Sequence, residues 1–134
     1  MKVALDTNLL ASALGTRGLC ADLMRVVLTE HPLVIGEWIL GELRRSLAKK
    51  FRLPKVLIEE YDAMLRAQAG TIAEGGEVEL VGVDSGDARV LGEALAGHAD
   101  ILVTGDRQLL ALGDGAPLPI LSPRQFWELL RRGA

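Results

Sequence analysis

Four acids in this 134-residue chain stand where chemistry could be done. Asp6 ends the run Val3-Ala4-Leu5, and Asp106 follows Ile101-Leu102-Val103-Thr104-Gly105, so two aliphatic stretches each deliver a carboxylate. Runs this apolar suit strands buried on both faces of a parallel sheet. In open α/β sheets ligands sit outside the carboxyl ends of such strands, so the two aspartates propose one shared acidic site. Asp87 precedes Val90, Leu91 and Ala94 at helical spacing and heads the face that must pack on the sheet, where an ordinary surface acid is out of place. Glu42 lies beside the stripe Ile39, Leu40, Leu43 and Leu47, on a flank from which a side chain can emerge into a cleft. Glu37 holds the opposite flank, and spacing alone does not choose between them.

Each acid also has a plain structural use. Asp6 could cap a turn, Asp87 stabilise a helix N-terminus, Asp106 act as an N-cap and Glu42 join a surface ion pair. Gathered together they ask for more, because carboxylates about 4 Å apart repel by roughly 4 kcal/mol at an effective dielectric near 20. A fold that collects them calls for a counter-charge, and oxygen-only donors suit Mg²⁺ or Mn²⁺. His31 and His98, both near expected element ends, give little support to a zinc site or a Ser-His-Asp triad. Cys20, the single cysteine, sits among apolar helical neighbours and reads as a small core residue.

The elements that would position these acids alternate. Strands are expected at Val3–Leu5, Leu33–Ile35, Val78–Val81, Ile101–Thr104 and Pro119–Leu121. Between the first strand and a helix over Leu19–Leu28, the spacing shows a short connecting segment with Gly15 and Gly18. Further helices are expected from Gly36 to Phe51, from Pro54 to about Ala69, from Asp87 to Ala96 and near Arg107–Leu112. Val83-Asp84-Ser85-Gly86 reads as a turn. Ser122-Pro123-Arg124-Gln125 is a strong helix start, with Ser as N-cap, Pro at the first position and Gln able to close a capping box. Strand-helix alternation throughout implies right-handed crossovers and an α/β fold whose mainly parallel sheet has about five strands.

Composition agrees. One domain spanning 1–134 is expected, with a core of Leu, Val, Ile and Ala, since 49% of residues are hydrophobic but only 4% aromatic. No stretch approaches the roughly 18 uncharged residues of a membrane span, and no cleavable leader pattern opens the chain, so the expected location is cytoplasmic. The formal net charge of −3 argues against a protein that coats nucleic acid through a broad basic surface. A local basic patch remains at Arg44, Arg45, Lys49, Lys50, Arg52 and Lys55, whose plainest reading is a solvated helix face.

Taken in order, Leu5-Asp6-Thr7-Asn8, Glu42-Leu43-Arg44-Arg45, Asp84-Ser-Gly-Asp87 followed by Ala94, and Val103-Thr104-Gly105-Asp106 resemble the motifs of the PIN domain, in its toxin-like branch of VapC-type ribonucleases. The resemblance covers essentially the whole chain. It implies a three-layer α/β/α sandwich and a Mg²⁺- or Mn²⁺-dependent RNA endonuclease, normally paired with an antitoxin that blocks it. By motif matching, Asp6, Glu42, Asp87 and Asp106 would be the metal-binding, catalytic acids. Asn8 matches the polar position after the first acid, and Thr104 the threonine that orients acids, so both would support the site from behind. Two positions depart from the family pattern: Gly86 and Gln108 stand where relatives often carry acids. Fewer acids favour one tightly held ion, with a second recruited by substrate phosphate.

Phosphodiester cleavage needs an activated water and a Lewis acid, both of which a divalent ion supplies. An acidic pocket repels RNA until its metal is in place, so rim cations would carry the phosphate contacts, with Arg44, Arg45, Lys49 and Arg107 as candidates. Homodimerisation is expected from the resemblance and from an apolar surplus that includes Trp38 and Trp127. Two other readings compete. A haloacid-dehalogenase-like phosphatase would need a second Asp two residues after Asp6, where this chain has Asn8. A non-catalytic PIN-like module that binds RNA or a partner protein would not need all four acids.

Overall fold

The computed structural model describes residues 1–15 and 17–133. Five parallel strands form one sheet in the order β3-β2-β1-β4-β5. They are β1 (Val3–Leu5), β2 (Leu33–Gly36), β3 (Ala69–Ala73), β4 (Ile101–Val103) and β5 (Ile120–Leu121). The helices are α1 (Thr7–Gly15), α2 (Leu19–Glu30), α3 (Glu37–Lys49), α4 (Lys55–Gln68), α5 (Ser85–Ala96), α6 (Arg107–Leu110) and α7 (Pro123–Arg131). This is the three-layer α/β/α arrangement: α5 lies against β2, β3 and β4, while α1 packs with α2 and α3, α2 with α7, and α3 with α4.

The central strands follow from their composition. β1 registers Val3 and Ala4 against Leu33 and Val34 on one side, and Val3, Ala4 and Leu5 against Ile101, Leu102 and Val103 on the other. All of these residues are buried. Each fully buried Leu or Ile contributes about 1.5–3 kcal/mol over its exposed state, which fixes the middle of the sheet firmly. The chain turns left of β1 to β2 and β3, then crosses back to β4. The strand order therefore reverses between β1 and β4, and a cleft opens there at the carboxyl ends.

Three expectations are corrected. The third strand is not Val78–Val81 but Ala69–Ala73, which follows α4 directly and pairs in parallel with β2. Val78 and Leu80 alternate because their segment runs along α5: the Val78 amide donates to the Ala88 carbonyl at 3.2 Å, and Val81 is fully exposed. That close approach needs Gly92, where a Cβ would fall 1.7 Å from the Gly76 carbonyl oxygen. Next, the segment after β1 is a helix, α1, which buries Leu9, Leu10 and Ala11 and is anchored by the Tyr61 hydroxyl donating to the Leu10 carbonyl at 2.8 Å. Finally, α5 opens at Ser85 rather than Asp87: Asp84 is its N-cap, accepting from the Asp87 amide at 2.8 Å, and Asp87 belongs to the first turn. The start of α7 is as expected, with Ser122 and Gln125 forming the capping box and Pro123 at the first position.

Candidate active site

One cleft of about 480 Å³ at the carboxyl ends of the strands is lined by Asp6, Glu42, Asp87 and Asp106, with Asn8 beside them. Four elements deliver these acids. Asp6 leaves β1 and caps α1, Oδ1 accepting from the Leu9 amide at 3.0 Å. Asp106 follows β4 and caps α6, Oδ1 accepting from the amides of Gln108 at 2.8 Å and Leu109 at 3.1 Å. Capping thus orients each acid without using both of its oxygens. Thr104, fully buried, joins the two: its hydroxyl donates to Asp6 Oδ2 and accepts from the Asp106 amide at 3.0 Å.

The electrostatics are those of crowded anions. Burial pushes the Asp6 carboxyl up, the bonds from Thr104 and Leu9 pull it down, and the nearby charge of Asp106 pushes it up again. Asp87 is pushed up to about 6, first by burial, then by the charges of Asp106 and Asp84, a hydrogen bond with Asp106, and the charge of Asp6. Like charges disfavour one another's ionised forms, and a cation placed between them would reverse that.

The choice between Glu37 and Glu42 is settled by neighbours. Arg66 on α4 clamps Glu37 with bonds of 2.6 and 3.0 Å. Glu42 turns into the cleft, where it pairs with Arg45. Of the candidate phosphate-binding cations, Arg45 and Lys49 line the cleft, joined by Ser46 and Lys50. Arg44 turns instead toward Asp62, 3.6 Å away. Arg107 is exposed at the head of α6 and is not among the lining residues.

Three polar residues take roles at the site that the sequence did not assign to them. Asp84 adds a fifth carboxylate near Asp87; its signal was the Asp-x-x-Asp spacing of a helix start. Gln108, with its amide nitrogen turned toward the acids, donates to Asp84 Oδ2 at 3.2 Å and Asp87 Oδ2 at 3.1 Å, a neutral donor where relatives often carry an acid. Glu93 is buried on α5 and accepts from the amides of Trp38 at 2.7 Å and Ile39 at 3.0 Å, holding the start of the helix that carries Glu42. A Cβ at Gly36 would fall 1.9 Å from that carboxyl, so glycine makes room for the clamp. Its position three residues after Val90, on the buried face, was the available signal.

Among the described residues no three carboxylate, histidine or cysteine side chains are arranged to grip an ion as they stand. The donor chemistry nevertheless fits a hard divalent cation: the cleft offers carboxylate oxygens from four elements, and Asp87 bears the mutual repulsion that such an ion would relieve. No helix among the described residues is long and apolar enough to cross a membrane.

Comparison with known proteins bears on the fold and the family. No curated protein matches the chain. A chain in the crystal structure of VapBC2 from Rickettsia felis, bound to a DNA fragment from their promoter, is similar in fold with a TM-score of 0.61 and 14% sequence identity, over 91% of this chain and 98% of that chain. At that identity the likeness speaks to the fold alone. Residues 2–108, which carry Asp6, Glu42, Asp87 and Asp106, match the sequence model of the PIN domain. The sheet order, the acidic cleft at its switch point and this match converge, and the chain belongs to the PIN domain family.

Proposed function

We propose that this protein is a metal-dependent endoribonuclease that hydrolyses phosphodiester bonds in RNA. The observation that carries the reading is the convergence of Asp6, Glu42, Asp87 and Asp106, from four separate elements, on one cleft in which burial and the charges of Asp106 and Asp84 push the Asp87 carboxyl up. Asp6, Asp87 and Asp106 would hold Mg²⁺ or Mn²⁺, with Glu42 completing the set once Arg45 moves to the substrate. When bound, such an ion lowers the pKa of water and withdraws charge from the phosphate. The chain's own residues set the geometry. Thr104 holds a carboxylate oxygen of Asp6 and the main-chain amide of Asp106, Gln108 steadies Asp84 and Asp87, and Asn8 offers a polar contact at the wall. Arg45 and Lys49 would neutralise phosphates flanking the one that is cut. Water attacks phosphorus, and the bond to the leaving ribose oxygen breaks. RNA incubated with the protein and Mn²⁺ or Mg²⁺ should be cleaved, and chelator should stop it; intact RNA under every metal condition would refute the reading.

The reading extends to a toxin role with a cognate antitoxin that blocks the nuclease, in the cytoplasm; the toxin-like motifs support it, and VapBC2, one chain of which shares this fold, is consistent with it. A homodimer belongs to the same reading, supported by exposed apolar side chains at Phe51, Val56 and Leu57. Sedimentation at micromolar concentration should give a dimer, and a monomer would contradict that part.

A further inference from the structure

Along α3, Trp38, Glu42, Arg45 and Lys49 recur every three or four residues, with Ser46 four after Glu42, so they share one helix face, and all five line the cleft. Eleven steps of 1.5 Å from Trp38 to Lys49 make this stripe about 17 Å long. It is ordered by chemistry: an aromatic ring at the N-terminal end, an acid next, then cations. Trp38 is half-buried. Its main chain is held by the Glu93 carboxylate at 2.7 Å, and its ring reaches across to the first turn of α5, where Cη2 lies 3.6 Å from the position of a Cβ on Gly86. The ring therefore stands on the helix that carries Glu42 and lies beside the first turn of the helix that carries Asp87. Phosphates are drawn to the cationic end of the stripe and repelled by bare carboxylates, and at the acidic end the indole is the one aromatic surface among the residues that line the cleft. A fixed indole is a platform for a nucleobase, because every base has a π-face to stack.

Resting on the nuclease reading, we propose that Trp38 stacks a nucleobase flanking the scissile phosphate. A paired base is already stacked in its helix and cannot turn onto the ring. The strand then lies along α3, its base on Trp38, the scissile phosphate at the acids, and the next phosphates on Arg45 and Lys49.

The test uses an oligoribonucleotide whose cut bond has been mapped, and versions with an abasic ribonucleotide on either side of it. Wild type should lose roughly five- to hundredfold in kcat/KM on one of the two abasic versions, the range expected for one stacked base. Trp38→Ala should show that loss on intact RNA and no further loss on the abasic one, and Trp38→Phe should recover most of it. If Trp38→Ala does not fold by thermal melt, Trp38→Leu takes its place. Equal penalties for the variant on intact and abasic RNA would make Trp38 a packing residue and overturn the proposal. Binding gives a second reading without cleavage. In the Trp127→Phe, Asp106→Asn protein, Trp38 is the sole tryptophan, and its fluorescence should be quenched by the single strand but not by the matching duplex. No quenching overturns the proposal; absence of all cleavage refutes the nuclease reading, and the quenching still decides the stacking.

Discussion

Asp87 is the residue at which the acidic cleft can be read by titration. Its carboxyl is pushed up to about 6 by burial and by Asp106 and Asp84. A carboxyl raised in the folded state favours the protonated fold, so the stability it brings is complete below about pH 4 and fades as pH rises through about 6. The metal-free protein should lose about 1–2 kcal/mol from this group between pH 4 and 7, less than the full shift implies because water screens an open cleft. Burial raises Asp6 and Glu93 as well, with the same sign. Urea melts in chelator check the contribution of Asp87: the difference between wild type and Asp87→Asn should move in the variant's favour from pH 4 to 7. A difference constant across that interval would contradict the crowding of the acids.

At the scale of elements, α5 carries the tightest constraint, because the segment that leads into it folds back along its length. Helix propensity alone favours Gly92→Ala by about 1 kcal/mol. The Gly76 carbonyl, 1.7 Å from the added Cβ, reverses the sign, because a backbone atom cannot swing aside as a side-chain tip can. Gly92→Ala should destabilise by about 1–3 kcal/mol in thermal melts, and a stabilised variant would contradict the packing. The same segment explains where sequence reading failed. Val3–Leu5 and Ile101–Val103 were legible because strands buried on both faces are unbroken aliphatic runs. Ala69–Ala73 was not: it is an edge strand of small and outward-facing residues, while Val78 and Leu80 mimicked strand alternation by packing on a helix. Helix α1 was missed because its few buried residues make too short a pattern for period alone.

For the molecule as a whole, the candidate site was legible where a residue's place follows from its own element, and hidden where it depends on another. Asp6, Asp87 and Asp106 could be assembled from strand ends and one helix face. Glu42 could not be separated from Glu37 until Arg66, brought from α4, occupied the latter. Gln108 and Glu93 act across tertiary contacts no local spacing displays. What the assembled cleft does is tested most directly by metal-induced stabilisation of wild type and Asp106→Asn. Asn is also a good N-cap, so the variant should keep α6 and, relieved of one charge, be as stable as wild type or about 1 kcal/mol more stable in chelator. Mn²⁺ should stabilise wild type by about 2.7 kcal/mol at a hundredfold excess over Kd, and the variant by much less. Equal Mn²⁺-induced shifts in the two proteins would show that Asp106 is only a cap and that the cleft is not a metal site.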